Sequence, residues 1–303
     1  MAVTRFGSLA ARAPVPIFAA IGPGRQADVE RLLARRGLRR AHSPRDAAVL
    51  LVSGDLPDDM LEALSRVHAQ LPHPRATVRW IDETADEIAD RLRDAWHDLC
   101  AGVTDEEDRL PDVPPNEWKG VGPHGQGGEG MMGGTPYGRS MAMTGPDIRD
   151  GLQLDRYTAR IGPFAPMLPP GLVLEVTLQG DVICDATVAN AAFAQPAGAD
   201  APELCAGRVV RLLGLEAAAD RLIEGKRPGA VWLRGAVPSG LGLAEGTEAR
   251  GRLGAWLAGE VVTVAPVDLP DFLEGAEWSE AALLLASLPP SAIIRATRPT
   301  EVA

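Results

Sequence analysis

Thiols are scarce in this chain, and their placement excludes more than their number does. Of 303 residues only three are cysteine, namely Cys100, Cys184 and Cys205. None sits in a CxxC or tandem pair, and an odd, scattered set argues against a disulfide framework. An iron–sulfur cluster held by four thiolates needs four ligands, so this chain alone does not supply an all-cysteine site. The simpler reading is three small apolar residues in a reducing compartment.

Aromatic residues are also few, at 4%. The core must therefore be mostly Leu, Val and Ala, which leaves few stacking platforms for bases or flat cofactors. Positive charge is in deficit, with a formal net charge of −11 at pH 7. That argues against nucleic acid as the main partner, because phosphate neutralisation needs clustered Lys and Arg. A protein partner with a basic face stays open. No apolar run approaches the roughly 20 residues of a spanning helix. Met1 to Arg12 has no continuous apolar stretch followed by a cleavage site, so no leader is expected. The expected location is the cytoplasm, with any attachment to the inner face of a membrane running through partner subunits.

What is present is a globular balance of 46% hydrophobic and 23% charged residues in a length that suits two domains. Val15–Ile21 is a short apolar run closed by Gly22-Pro23-Gly24, which reads as a buried strand. From Gln26 to Arg36, Val29, Leu32 and Leu33 share one helical face, with charges elsewhere and Gly37 as a stop. Ala47–Val52 is a second continuous apolar run, of the kind that suits a parallel strand covered on both faces. Pro57–Gln70 reads as a helix, Ala76–Trp80 as a third strand and Glu83–Leu99 as a third helix. The β-α-β-α-β-α order predicts an α/β domain over residues 1–104, built on a doubly wound, mostly parallel sheet.

Residues 105–150 read as a Pro-, Gly- and Met-rich linker, too long for an ordinary turn. Residues 151–303 read as an α+β domain. Leu152–Ile161 and Leu172–Val188 alternate imperfectly, and Gln179-Gly180-Asp181 marks a hairpin turn. Helices are expected over Pro202–Leu215, Ala217–Ile223, Thr247–Leu257 and Ser279–Leu288, with a shorter Pro-bounded piece over Pro270–Glu274. In the first of these, Leu204, Val209, Leu212 and Leu213 are expected to point inward.

The stretch from Gly37 to Trp80 holds an ordered set of short motifs. Ser43-Pro44-Arg45 is followed by Ala48-Val49-Leu50-Leu51-Val52, Gly54, a helix, then Gln70, Pro72 and Pro74-Arg75. This order resembles the small iron–sulfur subunit of NADH:quinone oxidoreductase (complex I) and of membrane-bound [NiFe] hydrogenases. That family carries an SPR turn, a DVLIVAG strand, a helix and a Q-x-P-x-PR turn. It also places a tandem cysteine pair after its first strand and another cysteine after the strand that follows the PR turn. Here those regions read Ala19-Ala20-Ile21-Gly22-Pro23-Gly24 and Val78-Arg79-Trp80-Ile81-Asp82, without a thiol. The resemblance implies the fold and a docking surface, and no cluster or other cofactor on this chain.

Residues 154–182 resemble, more loosely, the large subunit of the same complexes. Ile161-Gly162-Pro163 leads through Pro163–Pro170 into Gly171-Leu172-Val173-Leu174-Glu175-Val176 and Gly180-Asp181-Val182. The quinone-facing loop of the large subunit carries histidine, and this loop has none. A degenerate peripheral subunit is the function implied, partnered by membrane-embedded ion-translocating subunits and coupling or capping them. Two alternatives are an oxidoreductase subunit that relies on a partner's cofactors and an unrelated phosphate-binding enzyme.

Arg45 and Arg75 lie on turns that in the resembling family approach the large subunit and the quinone pocket. They are candidate interface residues, since a forked guanidinium pairs readily with a carboxylate. The segment Gly120–Arg139 adds His124, Met131, Met132, Tyr137 and Arg139 as candidates. Glycine permits close backbone approach, methionine adapts to irregular apolar surface, and His124 is able to carry a proton near neutral pH. Gly22-Pro23-Gly24-Arg25 lies between a strand and a helix, where backbone N–H groups suit a phosphate. It lacks GxGxxG and GxxxxGK[ST], so a plain tight turn is the simpler reading. His68 and His73 flank a proline turn and do not form a helical metal pair. Asp82, Glu83, Asp86, Glu87 and Asp90 read as an acidic, solvated helix start.

Overall fold

A computed structural model describes residues 10–103, 143–226, 230–265 and 267–298. The first half is a four-stranded, all-parallel sheet with helices, and the second half is a separate antiparallel four-stranded sheet with helices. The α/β then α+β organisation expected from the pattern is therefore present.

In the first half, β1 (Val15–Ile21), β2 (Leu38–Arg40), β3 (Val49–Ser53) and β4 (Ala76–Trp80) stand in the order β2-β1-β3-β4. Every residue of β3 is buried, as its uninterrupted apolar run requires when both faces are covered. One face packs on α1 (Gln26–Leu33) and α3 (Ala85–Ala101), through Val29 and Leu32 of α1 and Ile88 and Leu92 of α3. The other carries Phe18, Leu50 and Val52, covered by Met60 and by Leu64 of α2 (Leu61–Gln70). The acidic start of α3 is a helix cap: the Thr84 side chain accepts from the Glu87 amide, and Glu87 accepts from the Thr84 amide.

The second sheet is β5 (Met143–Pro146), β6 (Gln153–Ile161), β7 (Val173–Gln179) and β8 (Val182–Asn190), in sequential order. β5 lies inside the span expected as linker, so the second sheet starts earlier than the pattern suggested. The hairpin turn at Gln179-Gly180-Asp181 is present, with Gly180 at φ 62. Leu174, Val176 and Ile183 pack under α8 (Leu269–Leu273), α9 (Trp278–Ala286) and α10 (Pro290–Thr297). A further helical layer holds α4 (Pro202–Leu212), α5 (Glu216–Ile223), α6 (Ala230–Gly235) and α7 (Ala249–Ala258). Among the described residues, no helix is long and apolar enough to cross a membrane.

The two halves share a core. Phe164 is buried in the same cluster as Phe18, Leu50 and Met60, and Phe193 packs against it. Ala27 and Ala34 of α1 meet Leu204 and Ile223 from α4 and α5.

Candidate functional site

A cavity of about 290 Å³ opens where the two halves meet. Its floor comes from the ends of β1 and β2 and from α1, with Ile21, Glu30, Arg40 and His42 facing it. The loop Pro163–Pro170 forms an apolar wall through Phe164, Met167 and Leu168, and α4 brings Arg208, Arg211 and Leu212 from the opposite side. This volume lies at the low end of the roughly 300–1,000 Å³ of small-molecule sites.

The charges at this junction are ordered in pairs. Arg208 donates to both carboxylate oxygens of Glu30 at 2.8 Å, and to the Ala199 carbonyl at 2.9 Å. Gln26 adds a third donor to Glu30 at 3.1 Å. Burial works to raise the Glu30 carboxyl, but the Arg208 guanidinium overrides it and holds the group below its ordinary value. Burial works to lower Arg208, and Glu30 more than offsets this, so its guanidinium is held protonated more firmly than usual. Arg211 is held by Asp220 at 2.7 Å, and His42 meets Glu216 at 2.5 Å.

Arg40 stands apart from these pairs. Its Nε is buried with no hydrogen-bond partner, and no carboxylate forms an ion pair with it among the described residues. Burial, reinforced by the nearby Arg211 charge, pushes its pKa down to about 10. A contrast lies in the second half, where buried Arg252 also falls to about 10 through burial. There the guanidinium is fully engaged, donating to Ser287 O and Thr247 O at 2.7 Å, to Gly242 O at 2.9 Å and to Ser287 Oγ at 2.7 Å.

A second feature lies at the C-terminal ends of the parallel strands. Ile21, Ser53 and Trp80 stand side by side in register. Arg25 extends over them, its guanidinium 4.4 Å from the Trp80 ring centroid and its Nε 3.3 Å from Ser53 Oγ. Alanine, glycine, serine and tryptophan at these strand ends offer no soft ligand, and a cation lies across them. Among the described residues, no group of three or more His, Cys, Asp or Glu is placed to hold a metal ion.

The turn Gly22–Arg25 has its amides committed. Gly22 donates to Ser53 O at 2.8 Å, Gly24 to Ala194 O at 2.9 Å, and Gln26 to Gln195 Oε1 at 3.1 Å. It joins the halves, and its N–H groups are not arrayed toward a phosphate.

Of the residues singled out from sequence, Arg45 is exposed on a short 3-10 turn, Pro44–Asp46. Arg75 is buried and donates to the carbonyls of His68 at 2.6 Å and Leu71 at 3.3 Å, securing the end of α2. His124, Met131, Met132, Tyr137 and Arg139 lie outside the described residues. Arg40, Arg208, Arg211 and Glu30 are absent from the sequence-derived set. Glu30 was legible in principle, because Gln26, Glu30 and Leu33 fall on one helical stripe, and all three are buried. Leu212, expected inward, is 39% exposed at the cleft wall. Comparison of the chain with protein-family models and with curated proteins finds no match.

Proposed function

We propose that this chain is a non-redox peripheral subunit of a membrane-associated assembly related to complex I and energy-converting hydrogenases. In this reading a doubly wound, cluster-less domain over residues 1–104 is joined through residues 105–150 to a trimmed large-subunit-like domain over 151–303. Its role is to cap or couple ion-translocating membrane subunits from the cytoplasmic side. The observation that carries the reading is Arg25 lying over Trp80 at the aligned strand ends. A fixed cation there substitutes a structural contact for an electron-carrying one, while the surrounding scaffold is kept. Exposed Arg45 supplies a docking point for a partner carboxylate.

The test is purification of the tagged chain from gently solubilised native membranes, with identification of co-purifying subunits. Iron, acid-labile sulfide and electron paramagnetic resonance are measured on the isolated chain in parallel. Antiporter-like membrane subunits in fixed ratio, with no cluster on this chain, are the expected result. Stoichiometric iron and sulfide on the isolated chain overturn the reading.

A second reading is favoured by the loop Pro163–Pro170, which lines the apolar side of the cleft. It is the segment that resembles the quinone-facing loop. An oxidoreductase subunit using a partner's cofactors would place its substrate there. Quinone-dependent turnover of the intact assembly, lost when Met167 is replaced by glutamate, separates this reading from the first.

A further inference from the structure

The cleft combines an apolar wall with a charged one. The apolar wall comes from Phe164, Met167 and Leu168, and the other carries Arg40, Arg208 and Arg211 together with Glu30, Glu216 and His42. The pairings described above assign Glu30 to Arg208 and Asp220 to Arg211. They leave Arg40 as the cleft guanidinium without an acceptor among the described residues, its Nε buried. A buried donor left unpaired is costly, and a charged one more so. Arg252 marks the difference, since a structural arginine of this protein meets carbonyls and a hydroxyl on every side. Arg40 instead borders the cleft beside a second guanidinium, Arg211, whose charge disfavours its own, while the Glu30 and Asp220 carboxylates favour it from nearby without pairing with it. An anion entering the cleft relieves both the missing acceptor and that repulsion.

We propose that the cleft binds a small amphiphilic anion, with a carboxylate or phosphate head on Arg40 and a short apolar body along Phe164, Met167 and Leu168. A guanidinium fork matches either head group in two-point contact. The volume limits the apolar part to a short chain or a single ring. Both carboxylate and phosphate amphiphiles occur free and as lipid head groups. The position of the head site inside a cleft between the two halves selects the free form.

The test uses the purified full chain alone, so its outcome is separate from any co-purification of membrane subunits. Titration calorimetry is run below micelle-forming concentrations with octyl phosphate, octanoate, octanol and inorganic phosphate. Octyl phosphate and octanoate are expected to bind at least tenfold more tightly than octanol or inorganic phosphate. Arg40→Gln is expected to weaken octyl phosphate more than tenfold, while octanol is unaffected. Leu212→Glu, a change at a half-exposed position, places a like charge at the mouth and is expected to weaken the same probe without disturbing the fold. Circular dichroism confirms that each variant is folded. Equal binding of octyl phosphate by wild type and Arg40→Gln, or no binding of either charged octyl probe, overturns the assignment. So does sedimentation with phosphatidic acid vesicles in the absence of binding to the soluble probes.

Discussion

Arg208 grips Glu30 through two parallel hydrogen bonds of 2.8 Å each, across 178 positions of sequence. The pair lies at the seam of the two halves, with side chains only 14% and 6% exposed. Removing one partner strands the other in a desolvated place, which costs roughly 3–5 kcal/mol. Glu30→Gln and Arg208→Met are each expected to lose about that much in urea unfolding. The double variant Glu30→Leu with Arg208→Met should lose much less, because neither charge is left behind. Single variants as stable as wild type would show that the seam is held by apolar contact alone.

The same pair predicts an acid limit. The folded Glu30 carboxyl is held below the unfolded value near 4.5. Its contribution is therefore complete above that value and is lost as pH falls through the folded pKa. Unfolding midpoints measured from pH 6 downward should drop more steeply in wild type than in Glu30→Gln. Parallel curves would assign the acid sensitivity to other carboxylates.

Among the described residues Arg252 has no carboxylate partner, and its four hydrogen bonds run to Gly242, Thr247 and Ser287. Arg252→Met leaves several buried acceptors unpaired, each costing about 1–3 kcal/mol. A total loss of about 3 kcal/mol or more is expected by thermal or urea unfolding. Arg252→Lys should recover less than half, since an ammonium cannot span the same fork.

Gly162 sets the entry to the cleft wall. Its φ is +118, and a Cβ there would lie 2.1 Å from the Leu172 carbonyl oxygen. Gly162→Ala is expected to destabilise by about 3 kcal/mol, since backbone strain and collision add. Gly151 provides the comparison: its φ is +75 with nothing within 4 Å of the added carbon. Gly151→Ala should cost only about 1–2 kcal/mol, the left-handed penalty by itself. Equal losses at the two positions would mean that the collision relaxes at no cost.

Continuous apolar runs such as Val49–Val52 announce parallel strands because both faces must be covered, and periodic segments such as Ile88–Leu92–Leu99 announce their helices. The three-residue β2 was hidden, since Leu38-Arg39-Arg40 has no pattern of its own and is a strand only through pairing with Val15–Ile17. α10 was hidden by Pro289 and Pro290, since adjacent prolines ordinarily interrupt a helix, yet Pro290 begins this one. The cleft was legible only in fragments, through the loop Pro163–Pro170 and the buried stripe that carries Glu30. Arg40 and Arg208 belong to different halves, and no spacing rule joins residues that only tertiary structure brings together. Arg75 is the converse case. A turn arginine suggested a partner, but its Nη1 is committed to the carbonyls at the helix end.

Phe164 and Phe193 complete the face of the first sheet that carries Phe18, Leu50 and Met60. They emerge from the ribosome long after those strands have been made. The nascent first half therefore waits with part of this face uncovered beyond what Met60 and Leu64 shield, a transient apolar surface of the kind that favours aggregation. A stop codon placed soon after Val103 should yield a fragment that aggregates, although every strand and helix of the first half is present.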